Sequence, residues 1–439
     1  MSKQRATSRA TVEPERAAGE LQGSATGMRA RILRGATQVG GTCVELESSG
    51  QRLLLDLGMP LDAEEGEVPL PEVAGLRAED PSLLGVLVSH LHGDHCGLVP
   101  YARPGLPLGM GATAARILRE AEFFTGRPPL PALRWSFEDR RPFQVGPFRV
   151  TPYQVEHSAS DAFALLVEAG GRRLLYSGDL RAHGNDRAPW ERLTAEPPRD
   201  ADALLLEGTQ IGDGRAGEGP SEAELGATLA GRFRAWPGLV LAAWSSQNLD
   251  RLRTVYQAAR QAGRTLVIDL YTATLARAAG VPGLPAPGAE GLEVYCRRRE
   301  RVQVKEAQAF ERVRAVHGVR VFPEELAARA GELVVMLRPS MARELEQTGA
   351  LDGALAIWSL WCGYLEGPSE QRLMQALERH DVPLEQHHVS GHAYVSDLRR
   401  LVDAVRPDRV VPVHTQDPLA YALALPGVEP RPDGAWWEV

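Results

Sequence analysis

Short apolar runs separated by turn residues occupy roughly the first half of the chain, beginning at Met28. Two-residue turns, Gly40-Gly41 and Ser49-Gly50, lie between the first three runs, which therefore predict strands. The run from Leu83 to Val88 predicts a further buried strand. The strands predicted in this half span residues 29–33, 42–47, 52–56, 83–88, 148–157, 171–179 and 202–207, with one helix at 112–123.

The pattern changes after residue 210, where helical and strand patterns alternate. Such alternation is typical of parallel α/β units. The helices predicted here span residues 221–235, 247–261, 341–347, 370–380 and 396–405, and the strands span 239–243, 265–269, 332–337, 355–360 and 409–414. A further strand is predicted to lead into His392, a loop to cover 281–291, and a closing turn and strand to form 433–439. We expect the basic cluster at 297–301 to be a solvated face.

Composition narrows the class of protein. With 439 residues the chain is long enough for two or three domains, and its 44% hydrophobic and 24% charged residues are ordinary for a soluble globular protein. No apolar stretch approaches the roughly 20 residues that span a bilayer, so no membrane partner is expected. Residues 1–27 are polar and charged without an apolar centre, which predicts a disordered tail rather than a secretory signal.

Charge and cysteine usage add two weaker indications. The net charge of −8 argues against a surface coated with positive charge for nucleic acid, although it leaves room for a local basic groove. The four cysteines show no paired spacing, so neither a disulfide framework nor a Cys-x-x-Cys zinc site is indicated. A reducing cytoplasm is therefore the expected location.

A histidine-rich loop, Ser89-His90-Leu91-His92-Gly93-Asp94-His95, follows the strand predicted at 83–88. Imidazole suits zinc and related metals, and a nearby carboxylate completes or bridges such a site. The alternative is a solvated polar turn that happens to be rich in histidine, but no lysine or arginine lies in the loop to pair with its carboxylate. Asp56 ends an earlier strand, where it is either a turn residue or a side chain that orients a metal ligand.

The spacing His-x-His-x-Asp-His resembles the signature of the metallo-β-lactamase superfamily. His157 and Asp179 lie at predicted strand ends downstream of the loop, as the remaining ligands of that superfamily do. Glu207, the segment Ser390-Gly391-His392-Ala393 and His414 resemble the additional motifs of its β-CASP branch. That branch contains ribonuclease J, the pre-mRNA 3′-end endonuclease and the DNA cross-link repair nucleases, and the likeness covers nearly the whole chain after the tail.

The resemblance implies an α/β fold, namely an αββα metallo-β-lactamase sandwich with an inserted α/β (β-CASP) domain. The division that it implies is a tail at 1–27, the first part of the sandwich at 28–210, the inserted domain at 211–380 and the return to the sandwich at 381–439. Ribonuclease J carries a further C-terminal domain that supports dimerisation, whereas this chain ends soon after His414. A homodimer therefore stays an open expectation.

The resemblance also assigns roles to individual residues. Two divalent cations are implied, Zn²⁺ in the first place with Mn²⁺ or Mg²⁺ as alternatives. Their ligands would be His90, His92 and His157 for one, Asp94, His95 and His414 for the other, and Asp179 as the bridge. The catalytic residues would be Asp94, Glu207 and His392, with His392 as general acid and Glu207 fixing its tautomer. The alternative for Glu207 is a carboxylate that caps the backbone from Thr209 onward.

Substrate contacts are implied at Ser246, Asn248 and Ser390, where the first two open a predicted helix. Serine and asparagine at a helix start are first of all caps, although the same geometry binds phosphate.

The function implied by this set is a metal-dependent nuclease that hydrolyses phosphodiester bonds, with single-stranded RNA favoured as substrate and partner. The alternatives are a DNA nuclease of the same branch and a small-molecule metallo-hydrolase of the lactonase or thioesterase type. A catalytically silent nucleic-acid-binding subunit is a further alternative, but no ligand position is missing.

Overall fold

A computed structural model describes residues 27–64, 66–212 and 217–439 of the protein. Apart from Gly27, the predicted disordered tail lies outside the described residues. The strands are β1 (Arg29–Arg34), β2 (Cys43–Ser48), β3 (Gln51–Leu55), β4 (Leu83–Leu87), β5 (Leu108–Gly111), β6 (Leu133–Phe137), β7 (Phe143–Val145), β8 (Phe148–Val155), β9 (Ala162–Ala169), β10 (Arg172–Tyr176), β11 (Ala203–Glu207), β12 (Val240–Ala243), β13 (Thr265–Asp269), β14 (Leu292–Tyr295), β15 (Arg320–Val321), β16 (Leu333–Met336), β17 (Leu355–Trp358), β18 (Leu384–Gln386), β19 (Val410–Val413) and β20 (Trp437–Glu438).

The helices are α1 (Gly93–Cys96), α2 (Ala112–Thr125), α3 (Ala188–Ala195), α4 (Glu222–Ala235), α5 (Leu249–Gln261), α6 (Leu270–Ala279), α7 (Arg298–Glu306), α8 (Phe310–Arg314), α9 (Pro323–Ala328), α10 (Ala342–Gln347), α11 (Pro368–Arg379), α12 (Val395–Val405) and α13 (Pro418–Ala424). Short 3₁₀ helices span Val99–Tyr101, His317–Val319, Ala330–Glu332, Pro339–Met341 and Cys362–Glu366. Among the described residues, no helix is both long and apolar enough to cross a bilayer.

Two sheets pack face to face. The first has the strand order β20-β1-β2-β3-β4-β5-β6, and the second has the order β19-β11-β10-β9-β8-β7. Side chains such as Ile32 and Leu55 from the first sheet and Val167 and Leu205 from the second fill the core between them. Helix α2 packs on the outer face of the first sheet, and α3 and α12 pack on that of the second. This is the αββα sandwich that the sequence analysis expected.

The third sheet is parallel throughout, with the order β15-β14-β13-β16-β12-β17-β18. Helices α4, α5 and α6 contribute apolar side chains to one of its faces, and α9, α10 and α11 to the other. A parallel sheet covered on both faces explains why β12 and β16 are buried at every position. Strand β18 pairs with β17, so this sheet extends past the boundary expected at residue 380.

Several local predictions differ from the structure. The strand expected to lead into His392 ends at Gln386, and the residues that follow it are irregular. The basic cluster is only partly a solvated face, because it begins α7 and its first side chain turns inward. Arg297 forms ion pairs with Asp269 at 3.4 Å and with Glu300 at 2.8 Å, and both carboxylates are buried.

A buried ion network joins the second sheet to the helices of the third. Arg181 follows β10, and its guanidinium lies 3.1 Å from a carboxylate oxygen of Glu222 and 2.7 Å from one of Asp250. Arg251 approaches the same oxygen of Glu222 at 2.7 Å. Glu222 and the two arginines are fully buried. Because Glu222 lies on α4 while Asp250 and Arg251 lie on α5, the network fixes these helices against the sandwich.

We expect Glu222→Gln to destabilise the protein in a pH-dependent way. Burial alone would raise the pKa of Glu222, but the guanidinium groups of Arg251 and Arg181 outweigh it and hold that pKa at about 2. The stabilisation by the ionised carboxylate is therefore fully present above its unfolded pKa of about 4.3 and is lost as the pH falls toward 2. Denaturant unfolding should show a loss of about 3 kcal/mol at pH 7 and a smaller loss at pH 3.

The matched control is Glu311→Gln, which changes an exposed carboxylate in the same way. Its free energy of unfolding should differ from wild type by less than about 0.5 kcal/mol at either pH. An equal loss in Glu222→Gln at pH 7 and pH 3 would contradict the assigned ionisation.

Candidate metal centre

The site forms at one edge of the sandwich because the strands that carry it run in the same direction. Strands β10, β11 and β19 are parallel neighbours, so Asp179, Glu207 and His414 emerge together at or just beyond their carboxyl ends. Strand β8 is antiparallel to β9, which is antiparallel to β10, so His157 after β8 emerges at the same edge. In the facing sheet β3 and β4 are parallel, and Asp56 and the histidine-rich loop follow them.

Three imidazoles form the first donor group. Nδ1 of His92 lies 3.2 Å from Nε2 of His90 and 3.1 Å from Nε2 of His157. All three nitrogens lie within 4.8 Å of one another, which allows a single cation to contact them together. These are the residues that the sequence analysis assigned to one metal.

The second donor group combines a carboxylate with two imidazoles. Nε2 of His414 lies 3.2 Å from Oδ2 of Asp94, and His95 completes a group whose donor atoms lie within 4.8 Å of one another. Asp179 lies between the two groups, because its Oδ2 is 3.1 Å from Nε2 of His95 and 3.7 Å from Nε2 of His90. A carboxylate in this position can reach a cation in either group.

Asp56 lies behind the donors rather than among them. Its carboxylate accepts hydrogen bonds from the Ser89 backbone at 2.6 Å, from Nδ1 of His95 at 2.7 Å and from the Tyr176 hydroxyl at 2.5 Å. Asp56 itself is fully buried and has a left-handed backbone, with φ of 59°. The bond to Nδ1 orients the His95 ring so that Nε2 faces Asp179, as expected for a side chain that orients a ligand.

Two other histidines are held at Nδ1 in the same way. His157 donates from Nδ1 to the Gly391 carbonyl at 2.6 Å, and His414 contacts the Thr209 hydroxyl through Nδ1 at 2.8 Å. Each of these rings therefore presents Nε2 to the centre. The bond to Gly391 also ties a donor on the second sheet to the segment that carries His392.

Several of the candidate ligand atoms make no hydrogen bond within the described residues, which leaves their lone pairs available to a cation. Nε2 of His95 and both oxygens of Asp179 are buried and make no hydrogen bond in the described part of the chain, although this Nε2 lies 3.1 Å from Oδ2 of Asp179. Burial lowers the pKa of His92 to about 4 and holds the pKa values of His90 and His157 well below their usual value, so these three imidazoles are neutral and keep their lone pairs. Burial would also lower the pKa of His95, but the carboxylates of Asp179 and Asp56 outweigh it and raise that pKa, so a cation would displace a proton there. A divalent cation requires neutral imidazoles and ionised carboxylates, and these side chains can supply both.

His392 and Glu207 form a pair beside Asp179. Nδ1 of His392 lies 3.3 Å from the Glu207 carboxylate and 3.6 Å from Oδ2 of Asp179. Burial disfavours the imidazolium, but the charges of Glu207 and Asp179 outweigh it and raise the pKa of His392 to about 9. The capping alternative for Glu207 is also present, since its carboxylate accepts hydrogen bonds from the backbone of Leu180 at 3.2 Å and of Thr209 at 3.1 Å.

The irregular segment before His392 is held through its backbone carbonyls by buried cations. Arg251 donates to the Val389 carbonyl at 2.9 Å, and Arg181 donates to the Ser390 carbonyl at 3.1 Å. His183 contacts the same carbonyl of Ser390 at 2.9 Å. The ion network described above therefore reaches the site and sets the position of the His392 loop.

One of the three expected substrate contacts is corrected, and a second is confirmed as a helix cap. Ser246 is buried at 4% exposure, and its hydroxyl bonds to Thr272 at 2.8 Å and to Arg338, so it is not available to a ligand. Asn248 is the cap of α5 and accepts a hydrogen bond from the Arg251 backbone at 2.8 Å. Ser390 alone lies beside the site, where its hydroxyl accepts a hydrogen bond from the His392 backbone at 3.1 Å.

Comparison with known proteins supports the interpretation of these side chains as a metal centre. A model described as a β-lactamase superfamily domain matches residues 52–235, and a model of a Zn-dependent metallo-hydrolase RNA specificity domain matches residues 383–425. The chain belongs to the metallo-β-lactamase superfamily. The two matches contain all of the donors and both members of the His392–Glu207 pair.

Several similar proteins are named ribonuclease J. Ribonuclease J of Mycobacterium tuberculosis H37Rv is 26% identical over 415 residues, covering 88% of this chain and 69% of the relative. Ribonuclease J of Mycolicibacterium smegmatis is 24% identical over 407 residues with the same coverage. A crystal structure of a protein of unknown function from Enterococcus faecalis V583 aligns with a TM-score of 0.74 and 18% identity over 94% of this chain and 100% of that one. The last comparison shows the fold alone.

Sequence reasoning missed the residues that hold the site from behind. Tyr176, Arg181 and Thr209 were not singled out, although each lies within three residues of Asp179 or Glu207. The available signal was that these residues lie next to a candidate ligand at the end of a strand. That signal does not show which of the neighbouring side chains turn inward. Arg251 carried no signal, because an arginine in a predicted helix is ordinarily exposed.

Gly391 is required by a close approach to Ser158. A Cβ atom at position 391 would lie 2.3 Å from the Ser158 hydroxyl oxygen and 2.9 Å from its Cβ. We expect Gly391→Ala to lower the free energy of unfolding by about 1–3 kcal/mol through overpacking. Adding Ser158→Gly removes the collision, so the double variant should be more stable than Gly391→Ala in denaturant unfolding.

Gly231→Ala is the control, since a Cβ there meets no atom within 4 Å and alanine suits the interior of α4. A double variant that is less stable than Gly391→Ala would contradict the assigned contact.

Proposed function

We propose that this protein is a metal-dependent nuclease that hydrolyses phosphodiester bonds in single-stranded RNA. The observation that carries the proposal is the convergence of two donor groups on Asp179, beside the His392–Glu207 pair. A pair of cation sites with an adjacent proton donor suits the displacement of an alkoxide from a phosphate. The name ribonuclease J of the relatives and the RNA specificity model over residues 383–425 support RNA as the substrate.

Two divalent cations, expected to be Zn²⁺ with Mn²⁺ or Mg²⁺ as alternatives, would be held by the two groups. His90, His92 and His157 would hold one, Asp94, His95 and His414 the other, and Asp179 would contact both. When bound, such ions supply Lewis acidity to the phosphate and to the attacking water. The buried unpaired atoms of Asp179 and His95 support this assignment.

The chain's own residues would position the proton transfers. His392 would give a proton from Nε2 to the leaving oxygen, because Nδ1 is directed to Glu207. Glu207 would hold the ring in that orientation, and its backbone hydrogen bonds to Leu180 and Thr209 keep the carboxylate in place. Asp94 is the least buried of the carboxylates here, with 18% of its side chain exposed, and would orient the attacking water.

A cationic side chain at the site supports an anionic substrate. Arg127 is exposed, forms no ion pair among the described residues, and its guanidinium would lie 3.5 Å from a Cβ at Gly93 of the histidine-rich loop. A guanidinium in this position can bind a backbone phosphate. The acidic total charge therefore does not argue against a nucleic-acid substrate.

The first prediction of this proposal concerns the metal content. Elemental analysis of protein loaded with zinc and then desalted should find about two ions per chain. Asp179→Asn should lower that content more than His392→Ala, because Asp179 would contact both ions and His392 neither. Equal content in the two variants, or less than one ion per chain in the wild type, would contradict the ligand assignment.

The second prediction concerns the substrate. Metal-loaded protein should cleave 5′-labelled single-stranded RNA faster than DNA of the same sequence, and a chelator should abolish both activities. Substrate affinity should fall as salt is added, because phosphate contacts release counterions. The cleavage products separated on a sequencing gel measure both rates.

Each alternative function predicts a different experimental result. Faster cleavage of DNA would make the protein a DNA nuclease with the same site. Hydrolysis of a lactone or thioester with no cleavage of either nucleic acid would assign it to the small-molecule hydrolases of the superfamily. Binding of RNA without any hydrolysis, in protein that retains its metals, would indicate a silent binding subunit.

A further inference from the structure

Two aromatic side chains are exposed together on the loop that follows β17. Trp361 is 55% exposed and Tyr364 is 50% exposed. Their ring centroids are 5.5 Å apart and their planes are nearly perpendicular, at 88°. Among the exposed large apolar side chains of the described residues, these are the two whose rings contact each other. Two adjacent exposed rings offer apolar faces that another ring can cover.

The aromatic pair is built rigidly rather than left on a free loop. Tyr364 N donates to the Trp361 carbonyl at 3.2 Å, and the indole of the buried Trp358 donates to the same carbonyl at 3.2 Å. The Trp361 ring lies over Gly363, where a Cβ would come within 2.2 Å of it. A side chain at position 363 would therefore displace the ring, and the exposed ring faces are preorganised.

One guanidinium links the loop that carries this pair to the loop that carries His392. Arg251 donates from Nη1 to the carbonyl and the hydroxyl of Ser359, at 2.9 and 2.6 Å, and from Nη2 to the Val389 carbonyl. Trp361 lies two residues beyond Ser359, and His392 lies three residues beyond Val389. Both loops are therefore held by the same side chain.

The charge environment of Tyr364 agrees with this placement. Half of the Tyr364 side chain is exposed, but partial burial of its phenol group and the carboxylate of Asp94 together raise the phenol pKa. Asp94 is one of the donors of the second group, so the phenol lies within electrostatic range of the metal centre.

We propose that Trp361 and Tyr364 form a stacking site for an unpaired nucleobase of the substrate strand, next to the bond that is cut. The inference rests on the proposed nuclease function and adds a base-contacting site to its phosphate chemistry. Bases stack on tryptophan and tyrosine faces whatever their identity, so the site would accept any unpaired nucleotide. Bases within a duplex are stacked on one another, so the site would favour single strands.

The alternative occupant of such a surface is a second copy of this chain. A nucleobase is favoured because Arg251 holds both the loop of this pair and the loop of His392, the residue that would protonate the leaving oxygen of the strand. The pair is small, two rings rather than an extended apolar face, and a stable dimer interface buries about 800 Å² on each partner.

The test compares intact and abasic strands on matched variants. Binding is measured by fluorescence anisotropy with metal-loaded protein in a His392→Ala background, so that the labelled oligonucleotide is not cut. The probes are an oligouridylate and a strand of the same length with abasic residues. The variants are Trp361→Ala and Trp361→Phe, of which the second keeps an aromatic ring. The control is Phe322→Ala, which removes an exposed aromatic side chain from the loop between β15 and α9.

With Trp361 present, the intact strand should bind about 5- to 100-fold more tightly than the abasic strand, the range that stacking of one base supplies. Trp361→Ala should lose most of that ratio while binding the abasic strand as before, and Trp361→Phe should keep most of it. Phe322→Ala should behave as the parent protein.

Three results would overturn the inference. Trp361→Ala could weaken binding of both strands equally, it could leave the ratio unchanged, or sedimentation could show that it converts a dimer to monomers. If the wild-type protein still cleaves RNA, each of these results contradicts only the stacking site and leaves the proposed nuclease function standing. Failure of the wild type to bind or cleave RNA would instead remove the proposed function itself.

Discussion

The carboxylate of Asp179 is buried between two groups of nitrogen and oxygen donors, and neither of its oxygens has a hydrogen-bond partner among the described residues. Burial of a carboxylate without hydrogen bonds is costly in a medium of low dielectric constant. Packing of the two sheets nevertheless forces the arrangement, because the parallel strands β10, β11 and β19 end at the same edge. The apolar core between the sheets must supply the free energy that offsets the cost of burying Asp179. A bound cation would stabilise the folded protein further.

The outer contacts of the donors depend on both sheets of the sandwich. Asp56 after β3 accepts the Tyr176 hydroxyl from β10 and the Nδ1 proton of His95, so one buried carboxylate links the two facing sheets. His157 reaches across to the Gly391 carbonyl. Displacement of one element would therefore misdirect several donors at once, which makes the geometry cooperative.

The third sheet contributes to the site through arginine rather than through ligands. Arg251 holds Ser359 and Val389, and Arg181 holds Ser390 from the sandwich side. Glu222 forms ion pairs with both guanidinium groups, and Asp250 adds a second carboxylate beside Arg181. Buried ion networks add little net stability compared with apolar packing, but they define position well because each charge tolerates few arrangements. Here the network fixes the position of the His392 loop and of the loop that carries Trp361 and Tyr364.

Sequence alone predicted the features that depend on neighbouring residues. Apolar runs located most strands of the sandwich and several of the alternating elements around the third sheet, and polar residues at the ends of those runs marked the donors from His90 to His414. Strand β9 was missed because its continuous apolar run does not distinguish strand from helix. Ser246 was predicted wrongly because a helix start that binds phosphate and one that is buried look alike in sequence.

Only the tertiary structure decided how these elements act together. The contacts of Arg251 with Val389 and of His157 with Gly391 join residues more than a hundred positions apart. Arg297 illustrates the same limit, since a basic cluster predicts a solvated face until folding brings Asp269 beside it. A local pattern determines which side chains stand at strand ends, because strand geometry repeats over two residues. Which of those side chains meet depends on the packing of whole sheets, and no local pattern encodes it.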